Sequence, residues 1–419
     1  MSRILFLSQL LPYPPDAGPK VRSYFTLRYL AQRHQLTLLA FTRPDDTPQA
    51  VEHLKQYCEA VYTVPIRRSR LQDMKALASS LLAGDAFIIR RDALAEMAQK
   101  INALLESFPF DAIHSDQLWM AQYALSHRNG KDPEKSIKII LDEHNACFQI
   151  FQRIARGERN PLFRLFYERE WRALKRYEAQ ACRLCDQVVT VTEEDRRILE
   201  SLSAAPADTP SILSRFTTIP ICVDAQAVRP VPPAAGAKGI LYIGTMFFLP
   251  NVEGVLWFAR EVWPKVIAQA PQASFTVVGK RPPKEVRDLE AANDPAGSVI
   301  GQGGSIRVTG FVEELQPYLE QAAVFIVPLF SGSGMRVKIV DAWRWGLPVV
   351  STTIGAEGIQ YQDGENILIA DDPVGFAQAV TRVLGEPALA AKLRENGRRW
   401  VEEHYDWQTV YPAWDQVYP

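Results

Sequence analysis

Ser331-Gly-Ser-Gly-Met-Arg-Val-Lys-Ile-Val-Asp-Ala-Trp-Arg-Trp-Gly-Leu-Pro-Val-Val-Ser351 reads as a glycine-bearing loop, a helix, a Gly-Leu-Pro turn and a buried strand. Gly332 and Gly334 let backbone N–H groups approach an anion, and the helix that follows adds the positive end of its dipole. Arg336 and Lys338 sit at that same end, where cations oppose the dipole. Two of them make sense there if they face an anion the sequence itself does not contain, such as a nucleoside diphosphate. Asp341, three residues beyond Lys338, is placed to accept hydrogen bonds from a ribose diol. The competing reading is a surface helix in which Lys338 and Asp341 pair across one turn.

Strand and helix alternate outward from this segment in both directions. Short apolar runs at Ile4–Leu7, Leu36–Phe41, Ala60–Val64, Ala112–His114, Ile137–Leu141 and Gln187–Val191 are separated by helical patterns. A second series starts at Gly239–Ile243 and continues through Ser274–Val278, Arg307–Thr309, Val324–Val327, Pro348–Ser351 and Ile367–Ile369. This rhythm predicts an α/β protein with two Rossmann-like, doubly wound parallel sheets whose strand ends face a central cleft. The domains are expected at 1–228 and 237–390, with the Pro/Ala-rich segment 229–236 as linker. The tail 391–419, rich in Trp and Tyr, is expected to form helices that return to the first domain. The stretch after Val278 reads as a Pro-rich link.

The 419 residues suit two domains, and 47% hydrophobic with 23% charged residues is globular composition. Lys+Arg (47) and Asp+Glu (48) nearly cancel, which disfavours nucleic acid as a partner. Five scattered cysteines make no disulfide framework, and Cys182 with Cys185 read as helix packing. Met1–Leu11 reads as a first strand running into a loop, and no apolar stretch is long enough to span a bilayer; a cytoplasmic location is the expectation.

Other polar groups lie at strand ends. His114 and His144 end strands of the first series, and Asp142-Glu143-His144-Asn145 is the richer cluster, which makes His144 a candidate acid/base or hydrogen-bonding group. Asp371 and Asp372 look like a helix cap before Pro373. No metal-ligand set is visible, and neutralisation by Arg, Lys and helix dipoles predicts chemistry without a metal or cofactor. The helix Pro161–Cys185 alternates Arg with aromatic residues. That pattern suits an anionic membrane surface, but interleaved Glu158, Glu168 and Glu170 favour a solvated face.

Taken together, Gly334, Arg336, Lys338 and Asp341, followed by Gly346-Leu-Pro-Val-Val350, resemble the donor-site signature of the group 1, family-4 glycosyltransferases of GT-B fold. The sub-branch resembling bacterial exopolysaccharide sugar transferases fits best. The resemblance implies retaining transfer from an NDP-sugar to a glycan or lipid-linked acceptor, at the inner face of the membrane. It places Asp341 on the ribose and Ser333 where the family has a Glu near the sugar. It also assigns substrate contacts to Gly18, Asp116, Asn145, Gly244, Thr245, Lys280, Gly355 and Glu357. Catalytic roles go to His144, Arg336 and Lys338. Thr245 stands where many relatives carry a phosphate-binding Arg, so Arg336 and Lys338 are expected to supply the missing charge. Asp116 stands where many relatives carry a sugar-contacting His. Those two departures, Ser333 and Asp116, keep open a nucleotide-sugar-binding scaffold without turnover. An NDP-sugar epimerase is the other alternative, and a dehydrogenase is disfavoured by the lack of G-x-G-x-x-G after a strand.

Overall fold

The computed structural model describes residues 1–128, 137–203, 215–234, 236–293, 304–332 and 334–418. They divide into two units, Met1–Cys222 with Val410–Pro419, and Val223–Thr409.

The first unit holds β1 (Arg3–Ser8), β2 (Gln35–Thr42), β3 (Ala60–Pro65), β4 (Ala112–Asp116), β5 (Lys138–Glu143), β6 (Gln187–Thr190) and β7 (Phe216–Thr218). They run parallel in the order β3-β2-β1-β4-β5-β6-β7. Ile4–Leu7 and Ile139–Leu141 are wholly buried, as strands covered on both faces by crossover helices must be. The order reverses between β1 and β4, and their carboxyl ends, Ser8 and Asp116, lie side by side there.

The second unit repeats the plan with β8 (Gly239–Ile243), β9 (Ser274–Val278), β10 (Ile306–Gly310), β11 (Ala322–Val327), β12 (Val349–Ser351) and β13 (Leu368–Ile369). Their order is β10-β9-β8-β11-β12-β13, all parallel, with the reversal between β8 and β11. Its helix after β8 runs Leu249–Trp257, then one wide π turn at Phe258–Val262, then Trp263–Gln269. Pro264 lacks the N–H that a regular α turn would use there, which accounts for the wider register.

Three boundaries differ from the sequence reading. The chain changes unit at Cys222/Val223, before the expected linker 229–236, because Val223 already pairs with Asp406 and Val231 N–H bonds to Trp345 O within the second unit. The expected returning tail divides: helix Pro387–His404 stays with the second unit, whereas Tyr411, Trp414 and Tyr418 bury their rings in the first. Where a Pro-rich link was read, Lys284–Asn293 is a helix.

The long helix Pro161–Leu184 is not a plain solvated face. Glu170 is buried and accepts the N–H groups of Phe87 and Ile88, both at 3.0 Å, while Glu178 accepts those of Cys147 (2.6 Å) and Phe148 (3.0 Å). Two carboxylates eight residues apart thus satisfy the free N–H groups of two other helices. Cys182 and Cys185 are buried thiols with their pKa pushed up by burial, as packing residues should be.

Candidate donor site and the His144 cluster

In the second unit the loop before helix Val337–Arg344 bends through Gly332 (φ 114°) and Gly334 (φ 74°), conformations that a side chain would strain. Arg336 is buried at the start of that helix. Its Nη1 donates to Gly334 O at 3.1 Å and its Nη2 pairs with Glu357 Oε2 at 3.2 Å. Glu357 is carried there by the turn after β12, where Gly355 packs against Val327 O, Ser351 and Thr352 so closely that a Cβ would clash.

Lys338 reaches from the same helix to the end of β8. Its Nζ donates to Tyr242 Oη and Asn251 Oδ1, each at 3.0 Å, and lies over the Tyr242 ring. Asn251 in turn donates to Thr245 O at 2.9 Å, tying the Gly244–Thr245 loop to the ammonium. A Cβ on Gly244 would stand 3.1 Å from Lys338 Nζ and as close to Tyr242 and Asn251, so any larger residue would crowd the ammonium and its partners at this strand end. Thr245 brings no charge, and Lys338 places one beside it. Burial first, and the neighbouring Arg336 second, lower the Lys338 pKa to about 7.

Asp341 pairs with Arg344 Nε at 3.0 Å rather than with Lys338, and burial raises its pKa against the opposing pull of Arg344. Lys280 lies over the Phe311 ring, and its carbonyl accepts the Met246 N–H. Ser333 lies outside the described residues. Asp372 caps helix Pro373–Gly385 through the Val374 and Gly375 N–H groups, as read from the sequence.

In the first unit, Asp116 and His144 meet. His144 Nε2 lies 2.9 Å from Asp116 Oδ1, and the hydroxyls of Ser8 (2.6 Å) and Ser23 (2.7 Å) both donate to Asp116 Oδ2. All four are buried. Burial pushes the Asp116 carboxyl up, but His144 and these bonds bring it below its ordinary value, so it is ionised and holds a proton on Nε2. The remaining ring nitrogen, Nδ1, is buried and has no hydrogen-bond partner among the described residues. Asn145 follows His144 and is partly buried, and Gly18 opens helix Gly18–Ala31.

A second layer fixes this cluster from below. Arg22 pairs with both oxygens of Asp142 (3.0 and 2.9 Å) and donates to Ile219 O and Pro220 O, with Trp414 stacked 4.9 Å away. His114 Nδ1 lies 2.7 Å from Tyr418 Oη, and burial lowers its pKa to about 4. Arg22 and His114 are therefore structural. Tyr242, Asn251, Ser8 and Ser23 were not singled out by sequence. Tyr242 and Asn251 both stand within seven residues of Gly244 and Thr245, to which the resemblance assigned substrate contacts, and that was the available signal.

Residues 237–386 match the family model for glycosyl transferases group 1, and residues 18–226 match that for glycosyltransferase family 4. The chain belongs to the group 1, family-4 glycosyltransferases. It is 22% identical over 420 residues, 99% of both chains, to an uncharacterized 44.6 kDa protein in the cps region of Klebsiella pneumoniae. It is 30% identical over 122 residues to the lipopolysaccharide core biosynthesis glycosyltransferase LpsE of Rhizobium meliloti, covering 28% of this chain and 35% of that one. Among solved structures, sucrose-phosphate synthase from Thermosynechococcus elongatus is similar across 100% of this chain and 98% of its own, with TM-score 0.67 and 16% identity. HepE from Anabaena, solved with UDP and glucose, gives TM-score 0.65 at 12% identity over 100% and 99%. These likenesses fit the two Rossmann-like units of this glycosyltransferase to the GT-B fold.

Proposed function

We propose that this glycosyltransferase moves a sugar from a nucleoside diphosphate to a glycan or lipid-linked acceptor in cell-surface polysaccharide synthesis, with retention at the anomeric carbon. The observation that carries the donor assignment is the pair of cations that follow the glycine loop, buried Arg336 on Gly334 O and Glu357, and half-buried Lys338 reaching Tyr242 and Asn251 beside Gly244 at the end of β8. The relatives support the setting: one is encoded in a cps region, another is a lipopolysaccharide core enzyme, and HepE was solved with UDP and glucose.

In the proposed reaction the bond between the anomeric carbon and the diphosphate oxygen breaks, and its electron pair goes to that oxygen. Arg336 and Lys338 stabilise the growing negative charge, so no metal is required. The acceptor hydroxyl forms the new bond on the same face and passes its proton to the departing diphosphate. Asp341 is assigned to the ribose, which requires its carboxylate to turn from Arg344. His144 is assigned to a substrate hydroxyl, which would hydrogen-bond to Nδ1. A cytoplasmic enzyme in contact with the inner membrane face completes the reading.

The test is release of nucleotide from UDP-, GDP-, ADP- and dTDP-sugars with acceptor extracts, with and without EDTA, and NMR of the product anomer. Acceptor-dependent release that survives EDTA and gives the donor's anomeric configuration supports the reading. Binding without release under all conditions favours a scaffold, and an inverted product removes retention.

A further inference from the structure

We propose that Glu143, Cys147 and Glu178 hold a structural divalent transition-metal ion, zinc by preference, inside the first unit. The three come from separate elements: the carboxyl end of β5, the first turn of helix Cys147–Gly157 and the body of helix Pro161–Leu184. One donor atom from each, two carboxylate oxygens and the Cys147 sulfur, lie within 4.8 Å of one another, and all three residues are buried. Donors around a tetrahedral zinc stand roughly 3–4 Å apart, so a small contraction closes the group on an ion.

Glu143 separates this group from an ordinary acidic cluster. Both its oxygens are buried, and neither has a hydrogen-bond partner among the described residues. The charged groups that act on it are all acidic: Glu178, Asp142 and Asp195. A buried carboxylate with no partner is costly, and this one calls for positive charge that its surroundings do not supply. The nearby group of His114, Asp116 and Asp142 is different. There Arg22 pairs with Asp142, while His144, Ser8 and Ser23 serve Asp116, so no ion is needed.

Donor number and type select the ion. The two free oxygens of Glu143, the Cys147 sulfur and one Glu178 oxygen make four donors, the number a structural zinc takes. Glu178 accepts the N–H groups of Cys147 (2.6 Å) and Phe148 (3.0 Å), which fixes its carboxylate and leaves a lone pair on each oxygen. A thiolate donor favours zinc, cobalt or iron(II) over magnesium and calcium. Cys182, one turn beyond Glu178, stands outside the close group and remains a packing residue. The ion ties the end of β5, just before His144, to two helices and touches no group assigned to donor or acceptor. Without it protons are the neutralising charge, and burial raises both carboxyls accordingly, so the pH trend of these acids belongs to the metal-free chain.

The test uses the full chain, produced in minimal medium with zinc or with cobalt and purified without chelator. The expected result is about one zinc per chain by elemental mass spectrometry, and a thiolate-to-cobalt charge-transfer band in the cobalt protein. Glu143→Gln and Cys147→Ser should each cut bound zinc at least about tenfold, and Cys147→Ser should remove the cobalt band. Cys58→Ser, at a buried thiol just before β3, should keep both. Glu143→Gln preserves the side chain's shape and removes its charge, so circular dichroism should show it folded without metal. A folded native chain that carries no zinc overturns the proposal, in favour of acids neutralised by protons. Zinc retained equally by Glu143→Gln and Cys147→Ser overturns it too, as does a cobalt protein without the thiolate band. Transfer activity is not read, so the outcome is independent of the proposed reaction.

Discussion

His144 Nε2 and Asp116 Oδ1 lie 2.9 Å apart inside the first unit, and Ser8 and Ser23 fix the other oxygen of the same carboxylate. A doubly anchored, ionised Asp116 holds a proton on Nε2 and orients the ring, so that Nδ1 is the nitrogen left for a substrate. Here the carboxylate orients a histidine that comes from the next strand.

Replacing Asp116 with Asn should therefore act through His144. Asp116→Asn is expected to lower kcat about 10–100-fold with a smaller change in donor KM. Combined with His144→Ala, it should cost no more than His144→Ala alone. Full additivity of the two losses in nucleotide-release assays would show that the residues act separately.

Lys338 yields a proton-linkage prediction. With its pKa held at about 7 by burial and Arg336, the free protein at pH 8 carries Lys338 mostly neutral. A diphosphate beside it favours the ammonium, so binding should take up a proton at pH 8 and much less at pH 6. Calorimetry of UDP or GDP binding in buffers of different ionisation enthalpy measures this directly. The uptake should vanish in Lys338→Gln, and affinity in the native protein should fall as pH rises above 7.

In the metal-free chain the buried acids of the first unit set a stability trend of known sign. Burial, next to Glu178 and Asp195, pushes the Glu143 carboxyl well above its ordinary value, and burial raises Glu178 to about 8. Acids that are more easily protonated when folded stabilise the fold below about pH 4.5, and that contribution is lost as pH rises toward 8. Neither oxygen of Glu143 has a hydrogen-bond partner among the described residues. Glu143→Gln should thus raise Tm at pH 8 and flatten its decline between pH 5 and 8. A Tm that falls as steeply in the variant would place the linkage elsewhere.

Strands were legible in the sequence because parallel strands covered on both faces must be apolar throughout, and Ile4–Leu7 and Val324–Val327 are. The Gly332–Asp341 loop and helix were legible because cations at a helix start contradict the local dipole and so announce a partner. Lys338's reach to Tyr242 and Asn251 was not, since it depends on β8 lying beside β11, and strand order leaves no mark on local pattern. Glu170 read as a solvated charge, and Glu178 went unremarked, because their partners are backbone N–H groups far away in the chain.

The most direct test of the donor site is thermal shift with a panel of UDP-, GDP-, ADP- and dTDP-sugars on the native protein, Arg336→Ala, Lys338→Ala and Cys182→Ala. The account predicts that one nucleotide series raises Tm in the native protein and in Cys182→Ala, and that the shift is lost in Arg336→Ala and Lys338→Ala. A native protein stabilised by none of them, or a shift that survives loss of both cations, would contradict it.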